Sequence, residues 1–481
     1  MFGNRRCRLS RGESTRLILS STRRFDQQQS TPTLGFVKNG HNFDLLPAMD
    51  HVMTTRPPQL SRTSATWLGL LGVCLFLACA ASGTAGDWPG ILGPERNGIA
   101  DKDERIVNSL PEKLKPIWEH PVGPGVAGAI ISQGRVFIFH RQGNNEVLDA
   151  LAESDGHLLW SQSHATTFTA SIGGEHGPLC PPTASLPATA DQKIVVFGAQ
   201  GVLECYQAEK GTRLWTHETH REFEAREGYF GAGSTPLIVG NRVVVNVGGK
   251  RKDAALVGFQ LDSGKHVWKA IADDASYSAP LATTLEGQPA IIALTRLNCV
   301  ALNPESGSIN FQFPFGDRGP TVNAATPVMI DKEHLFLTAS YGIGAVYAKV
   351  EFLSAQTLWK KDGLLSSQYT TPILDEGLLY GIHGRDDGPE ADLNCLDFKA
   401  KQVVWSAQGI GYATLIKADG KLLIVKTNGE LILARISPKK FDSLGRARLS
   451  EEPVRALPAL AHGRLYVRNK SSLMCFDLSA K

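Results

Sequence analysis

Leu256-Val-Gly-Phe-Gln-Leu-Asp-Ser-Gly-Lys-His-Val-Trp268 reads as a strand, a tight turn and a second strand. Leu256 to Leu261 is a β-prone run. Asp262, Ser263 and Gly264 are turn formers, the glycine supplying the positive φ that a tight hairpin needs, and Val267-Trp268 restarts an apolar strand. The same spacing from glycine to aromatic returns at Gly156–Trp160, Gly211–Trp215 and Gly307–Phe311. Ala355–Trp359 and Lys401–Trp405 keep the aromatic without the glycine, and a more worn copy ends at Phe441.

A second signature precedes each hairpin: a small or hydroxyl pair, often a proline, a few apolar residues, a turn, then an alternating apolar strand. It is plain in STPLIVGNRVVVNV from Ser234, ATPVMIDKEHLFLT from Ala325 and TTPILDEGLLYGI from Thr370. Each unit thus offers four strands, and the aromatics at 160, 215, 268, 311, 359, 405 and 441 recur every 36 to 55 residues. Such a period means a propeller or a solenoid. Four-stranded units with no helical pattern between them favour a β-propeller, in which ring closure removes exposed sheet edges. The last unit, Arg464 to Leu478, stops before its fourth strand, and an orphan strand ending at Trp118 supplies the missing piece. The reading is therefore all-β: an eight-bladed β-propeller whose ring is closed by an N-terminal strand.

Glycine-to-tryptophan blades with Ser/Ala-x-Pro inner strands resemble the pyrroloquinoline-quinone (PQQ)-like repeat, over about Trp88 to Leu478. The resemblance implies the propeller but not an activity, because the repeat builds quinoprotein dehydrogenases and also the non-catalytic outer-membrane-protein assembly lipoprotein of the Bam complex. It implies, for a dehydrogenase of the large family, adjacent cysteines beside the cofactor, a calcium site with Glu and Asn, and a catalytic Asp. This chain has no Cys-Cys pair, and its residues match none of the others position by position. Gly-x-Ser-x-Gly, P-loop and His-Glu-x-x-His strings are missing as well. The expectation is a non-catalytic binding or assembly scaffold of the cell envelope with no cofactor. The alternative is a PQQ- or metal-dependent oxidoreductase, with PQQ and calcium bound.

Residues 1–86 hold 10 Lys and Arg against 4 Asp and Glu, leaving 40 against 43 in the remainder, so the body is near net −3 and carries no nucleic-acid footprint. Trp67 to Ala81 is continuously small or apolar, with Arg56 and Arg62 ahead and Gly83-Thr84-Ala85 behind. Fifteen residues is short for a membrane span and fits a Sec signal peptide cleaved near Ala85. The expected division is residues 1–52 as a disordered or over-extended start, 53–86 as signal peptide and 87–481 as propeller. The protein is then periplasmic or extracellular, membrane-associated only if Cys79 of the Phe76-Leu77-Ala78-Cys79 lipobox-like string is lipidated or the leader stays uncleaved. The partner expected is an envelope protein or a cell-surface component met through the loop face.

Cys205, Cys395 and Cys475 occupy one position of separate repeats, matching Ala150 and Gly258, and read as small buried hydrophobes. Two long connections, Ser161 to Pro182 and Thr216 to Gly233, share one face in this topology. Their His164, Glu175, His176, Cys180, His217, His220, Glu222, Glu224 and Glu227 read as solvated loop polars, since His217-Glu-Thr-His220 lacks zincin spacing. Loops this long in a compact domain carry function or disorder. Phe168, Phe223, Tyr229 and Phe230 give them apolar area, so they are expected to fold together as one wall of a binding site, with His176 and Tyr229 facing the funnel. The funnel itself would be lined at the heads of the inner strands by Tyr277, Asn323, Tyr369, Tyr412 and Arg455, with Arg318 nearby. Strand capping by the same residues is the competing reading. No catalytic residue and no metal ligand is expected.

Overall fold

The structure, a computed structural model, describes residues 86–171, 177–185 and 192–480. The expectations for residues 1–52, the signal peptide at 53–86 with Cys79, and Glu175 and His176 thus fall on residues outside the described ones, Gly86 apart.

Eight four-stranded antiparallel sheets follow one another along the chain. Blade 1 spans residues 130–165, blade 2 183–218, blade 3 237–270, blade 4 281–314, blade 5 328–361, blade 6 373–407 and blade 7 413–448. Blade 8 takes three strands from residues 459–477, and its outer strand is Trp118–Pro121, paired with Ser472–Cys475. The N-terminal closure is as the sequence implies, with one correction: the strand begins at Trp118 instead of ending there. Pro121 is tolerated because it lies on a sheet edge, where no partner needs its N–H.

The recurring aromatic works between blades. In the outer strands of blades 1 to 6 a register shift sits just before it, as between Gly258 and Phe259 opposite Trp268 and between Cys205 and Tyr206 opposite Trp215. The bulge re-aims the ring and leaves the preceding residue outside: Leu159, Leu214, Val267, Leu358 and Val404 are all exposed. Each indole then crosses to the next blade. Its N–H donates to the first turn carbonyl there: Trp118 to Glu153, Trp160 to Ala208, Trp215 to Leu261, Trp268 to Pro304, Trp359 to Phe398 and Trp405 to Ser437, at 2.8 to 3.1 Å.

The glycine of the hairpin has two reasons to be glycine. Gly307 has a φ of +70°, and a Cβ there would lie 2.5 Å from the Trp268 ring. Gly156 meets Trp118, Gly211 meets Trp160 and Gly264 meets Trp215 in the same way. Glycine and tryptophan of one repeat therefore serve different neighbours. Directly opposite five of the six indoles stands a small residue that leaves room, Cys475, Ala150, Cys205, Gly258 or Cys395, while Trp359 faces Tyr347. The five cysteines of the described residues are buried and unpaired, as small hydrophobes.

Blade 7 departs from the sequence reading. Its pairing places Gly445, opposite Leu433, at the aromatic position, and Phe441 lies outside the strand, stacked on Trp405 at 6.2 Å. The empty place is filled from the N-terminal segment, where Leu110 lies against Gly445. That segment also bridges Trp88 to Ile131, Ile99 to Lys417 and Ile106 to Ser479, so it ties blades 1, 7 and 8 together.

Trp268 is 6 % exposed, and Trp268→Ala removes both its apolar burial and the bond to Pro304. The loss expected is roughly 3 to 5 kcal/mol, read as a lowered denaturant midpoint. A midpoint equal to wild type would contradict the docking role.

Candidate functional site

The second sequence signature builds the ring around the axis. Hydroxyls at the heads of the inner strands reach to the next blade: Thr183 to Pro236 O, Ser234 to Ser278 O, Ser278 to Ala325 O and Thr370 to Ala413 O, at 2.6 to 3.1 Å. The hydroxyl pairs thus hold the inner strands in register with their neighbours.

Just above these heads a cavity of about 360 Å³ opens on one side of the loop face. Its walls come from Ser171, from Arg226 to Gly233, from Asp274 to Tyr277 and from Thr321 to Asn323, with His220, Asn246 and Arg296. The two long connections do meet here. The Ser171 N–H and hydroxyl both donate to Tyr229 O at 3.1 Å, and the Gln200 amide links Thr167 to Glu227. Both connections start later than the sequence suggested, since the outer strands run on to Ala165 and Glu218, and Thr219–Glu222 forms a helical turn. Phe168 and Phe223 are buried plugs. Tyr229 is 40 % exposed at the cavity.

Tyr277 organises this wall. Its hydroxyl accepts the Phe230 N–H at 3.1 Å, and a Cβ on Gly228 or Gly233 would run into its ring or hydroxyl. Burial pushes its hydroxyl up to about 12, against the lowering effect of the Phe230 bond, so it stays protonated at neutral pH. The Asn323 amide donates to Thr295, Arg296 and Phe315 carbonyls at 3.2 Å each, and the Arg296 guanidinium lies on Gly319 and Thr321 oxygens. Burial lowers His220 to about 4, leaving a neutral ring in the lining.

The remaining funnel candidates lie elsewhere. Tyr412 is buried, and its hydroxyl accepts the N–H groups of Tyr369 and Thr370 at 2.7 and 3.1 Å, which is strand capping. The two rings pack 4.5 Å apart. Arg455 pairs with Asp386 of blade 6 at 3.0 Å, and Arg318 is exposed on its loop away from the cavity lining. Sequence reasoning missed Arg226 and Arg296. Arg226 stands inside a connection already singled out, and Arg296 sits in a middle-strand turn of the same face, so position alone could have found both.

His164 is not a loop polar. It is on the outer strand of blade 1, buried, with Nε2 at 3.0 Å from Glu146 and Nδ1 at 2.8 Å from Glu204 of blade 2. The Tyr206 hydroxyl and Arg213 also donate to Glu204. Burial alone would lower the His164 pKa, but the bonds to Glu146 and Glu204 and their charges raise it to about 9. Burial alone would raise Glu204, but His164, Tyr206 and Arg213 hold it below the usual carboxylate value. Next to this seam, Asp149 accepts from His140 at 2.9 Å and lies 3.5 Å from His120 of blade 8. Among the described residues no group of three His, Cys, Asp or Glu side chains is arranged to hold a metal ion.

Comparison with known proteins places this architecture. The family model described as outer membrane protein assembly factor BamB matches residues 143–407, from the third strand of blade 1 to the end of blade 6. No curated protein matches the chain significantly. Among solved structures, BamB from Moraxella catarrhalis is 14 % identical with a TM-score of 0.54, over 76 % of this chain and 98 % of that one. Quinohemoprotein alcohol dehydrogenase from Comamonas testosteroni is 13 % identical with a TM-score of 0.59, over 82 % and 81 %. A europium-containing methanol dehydrogenase is 11 % identical with a TM-score of 0.58, over 80 % and 89 %. These likenesses are of fold.

The blade 1–blade 2 seam has a pH signature. The raised His164 contributes stability that is full below its unfolded value near 6.5 and is lost as pH rises through about 9. The depressed Glu204 contributes stability that is full above about 4.5 and is lost as pH falls through its lower folded value. Melting temperature should therefore peak between about pH 5 and 7. His164→Gln should lower it there and flatten the alkaline limb, whereas an unchanged alkaline limb would remove His164 from that role.

Proposed function

The chain belongs to the family described as outer membrane protein assembly factor BamB, and on that premise we propose that it is an exported binding scaffold of the cell envelope that offers its loop face to an envelope protein. The observation that supports this reading is the state of the cavity's polar groups. The Tyr277 hydroxyl, the Asn323 amide and the Arg296 guanidinium are spent on backbone groups that shape the wall. They fix a surface instead of aligning a nucleophile with a base. Tyr229 and Arg226 are exposed on that surface beside Glu227 and Ser171, and Tyr and Arg are the residue types that carry binding energy at interfaces. Export through the Sec signal peptide, to the periplasm or beyond, belongs to the same proposal.

A quinoprotein-like oxidoreductase is the second reading, favoured by the fold shared with the two dehydrogenases. The cavity residues fit PQQ with calcium poorly. Asn323 Nδ2 is held on three carbonyls, though its Oδ1 has no partner, Asp274 lies 3.8 Å from Lys250, and no two cysteines of the described residues are adjacent in sequence.

Two measurements separate the readings. A photo-crosslinking amino acid at position 229 should yield an adduct with an envelope protein, while the same probe at Leu353, exposed on a blade 5 turn, should yield none. Incubation with PQQ and calcium should give neither cofactor absorbance nor dye reduction with simple alcohols and sugars. Turnover in the second assay, or no adduct from position 229, would displace the scaffold reading.

A further inference from the structure

The end of the ring opposite the loop face holds a buried charge that the binding reading does not use. The N-terminal segment crosses this end, and from it Arg96, 6 % exposed, reaches toward the inner strands. One guanidinium nitrogen donates to the Pro280 carbonyl at 3.0 Å and the other to the Pro236 carbonyl. These two carbonyls belong to the heads of the inner strands of blades 4 and 3. A guanidinium carries five N–H donors, so the two carbonyls leave donors over. Among the described residues Arg96 has no carboxylate partner, and burial alone lowers it to about 9. A charge buried without a counter-ion is costly unless something supplies one.

Beside it lies a cavity of about 270 Å³ that Arg96 itself lines. The rest of the lining is chiefly apolar, with Pro89, Pro94, Leu237, Val239, Leu281 and Ala282. Gly90 and Gly93 line it, and Gly93 takes a φ of +83° as the segment turns, packed against the Trp88 ring. Glu95, also in the lining, is exposed, so a second negative charge on a ligand would be repelled. One fixed cation and apolar walls ask for a ligand with one anionic end and a hydrocarbon body. The planar guanidinium edge matches the two oxygens of a carboxylate.

We propose that this cavity binds a medium-chain carboxylate, its oxygens on the free N–H groups of Arg96 and its alkyl chain along Pro89, Pro94, Leu237 and Leu281. The site is separate from the loop-face cavity and stands whether or not the scaffold reading does. Calorimetric titration of the purified protein with octanoate and with octanol tests it. Octanoate should bind with one-to-one stoichiometry, and octanol at least about tenfold more weakly, since a charge-assisted pair is worth that much. Arg96→Gln should abolish the preference for octanoate. Ala282→Phe, which adds a ring at an exposed position of the lining and leaves Arg96 in place, should abolish binding of both at unchanged melting temperature. Should Arg96→Gln fail to fold, the comparison of octanoate with octanol on wild type and the Ala282→Phe titration decide. No saturable octanoate binding, equal affinity for octanol, or undiminished binding by Ala282→Phe would overturn the proposal.

Discussion

An indole that leaves its own blade and lies on the turn of the next is the contact on which this molecule depends. A four-stranded sheet of this size cannot bury both faces by itself, and blades 1 to 4, 6 and 7 borrow the indole of their predecessor to cover the turn. The ring's area supplies the apolar burial, and the N–H finds the one carbonyl that the turn leaves open. The receiving side often has a requirement of its own. Four consecutive turns present glycine to the arriving indole. Where the aromatic is Phe311, which has no N–H to give, the next turn, Phe352 to Ser354, has no glycine. Trp359 and Trp405 still donate to the next turn, Phe398 to Lys401 and Ser437 to Lys440, though neither turn has a glycine, so the N–H bond is kept more widely than the glycine.

The same logic explains why the N-terminal segment is woven so thoroughly into the ring. Blade 8 has only three strands from the C-terminal end, so Trp118 arrives from the other end of the chain both to complete that sheet and to dock on blade 1. Blade 7 has glycine where the aromatic belongs, and Leu110 of the same segment occupies the space. Binding surfaces are then built on what the ring leaves over. Long connections after blades 1 and 2 wall the loop-face cavity, and the crossing segment walls the cavity at the opposite end.

What was legible in the sequence is what repeats. Strand periodicity, turn chemistry and the glycine-to-tryptophan spacing are local, and together they specify the blades, the count of eight and the N-terminal closure. What was not legible depends on a partner far away in the chain. Phe441 has the right spacing for an anchor, but blade 7 puts Gly445 at that place, with Leu110, more than 300 residues earlier, packed against it, and no local signal announces this. Ser161 to Ala165 alternates polar residues and reads as a loop; it is strand, because an outer strand faces both solvent and the neighbouring blade. His164 is buried only by virtue of Glu204 in that neighbour. Of the candidate residues, Tyr229 of a long connection and Tyr277 and Asn323 of strand heads line one cavity, whereas Tyr412 turned inward to cap backbone N–H groups that the sequence does not display.

The central claim is that glycine and tryptophan of adjacent repeats form one joint, and a double-mutant cycle on Trp268 and Gly307 measures it directly. Gly307→Ala alone places a Cβ 2.5 Å from the indole in a left-handed turn, and Trp268→Ala alone empties the joint. In the double variant the clash is gone, so Gly307→Ala adds only the cost of the left-handed backbone, about 1 kcal/mol, to the Trp268→Ala loss. The account predicts a coupling of at least about 1 kcal/mol between the two sites, as expected for residues in contact. Effects that add to within about 0.5 kcal/mol would show that the two residues act independently and would contradict it.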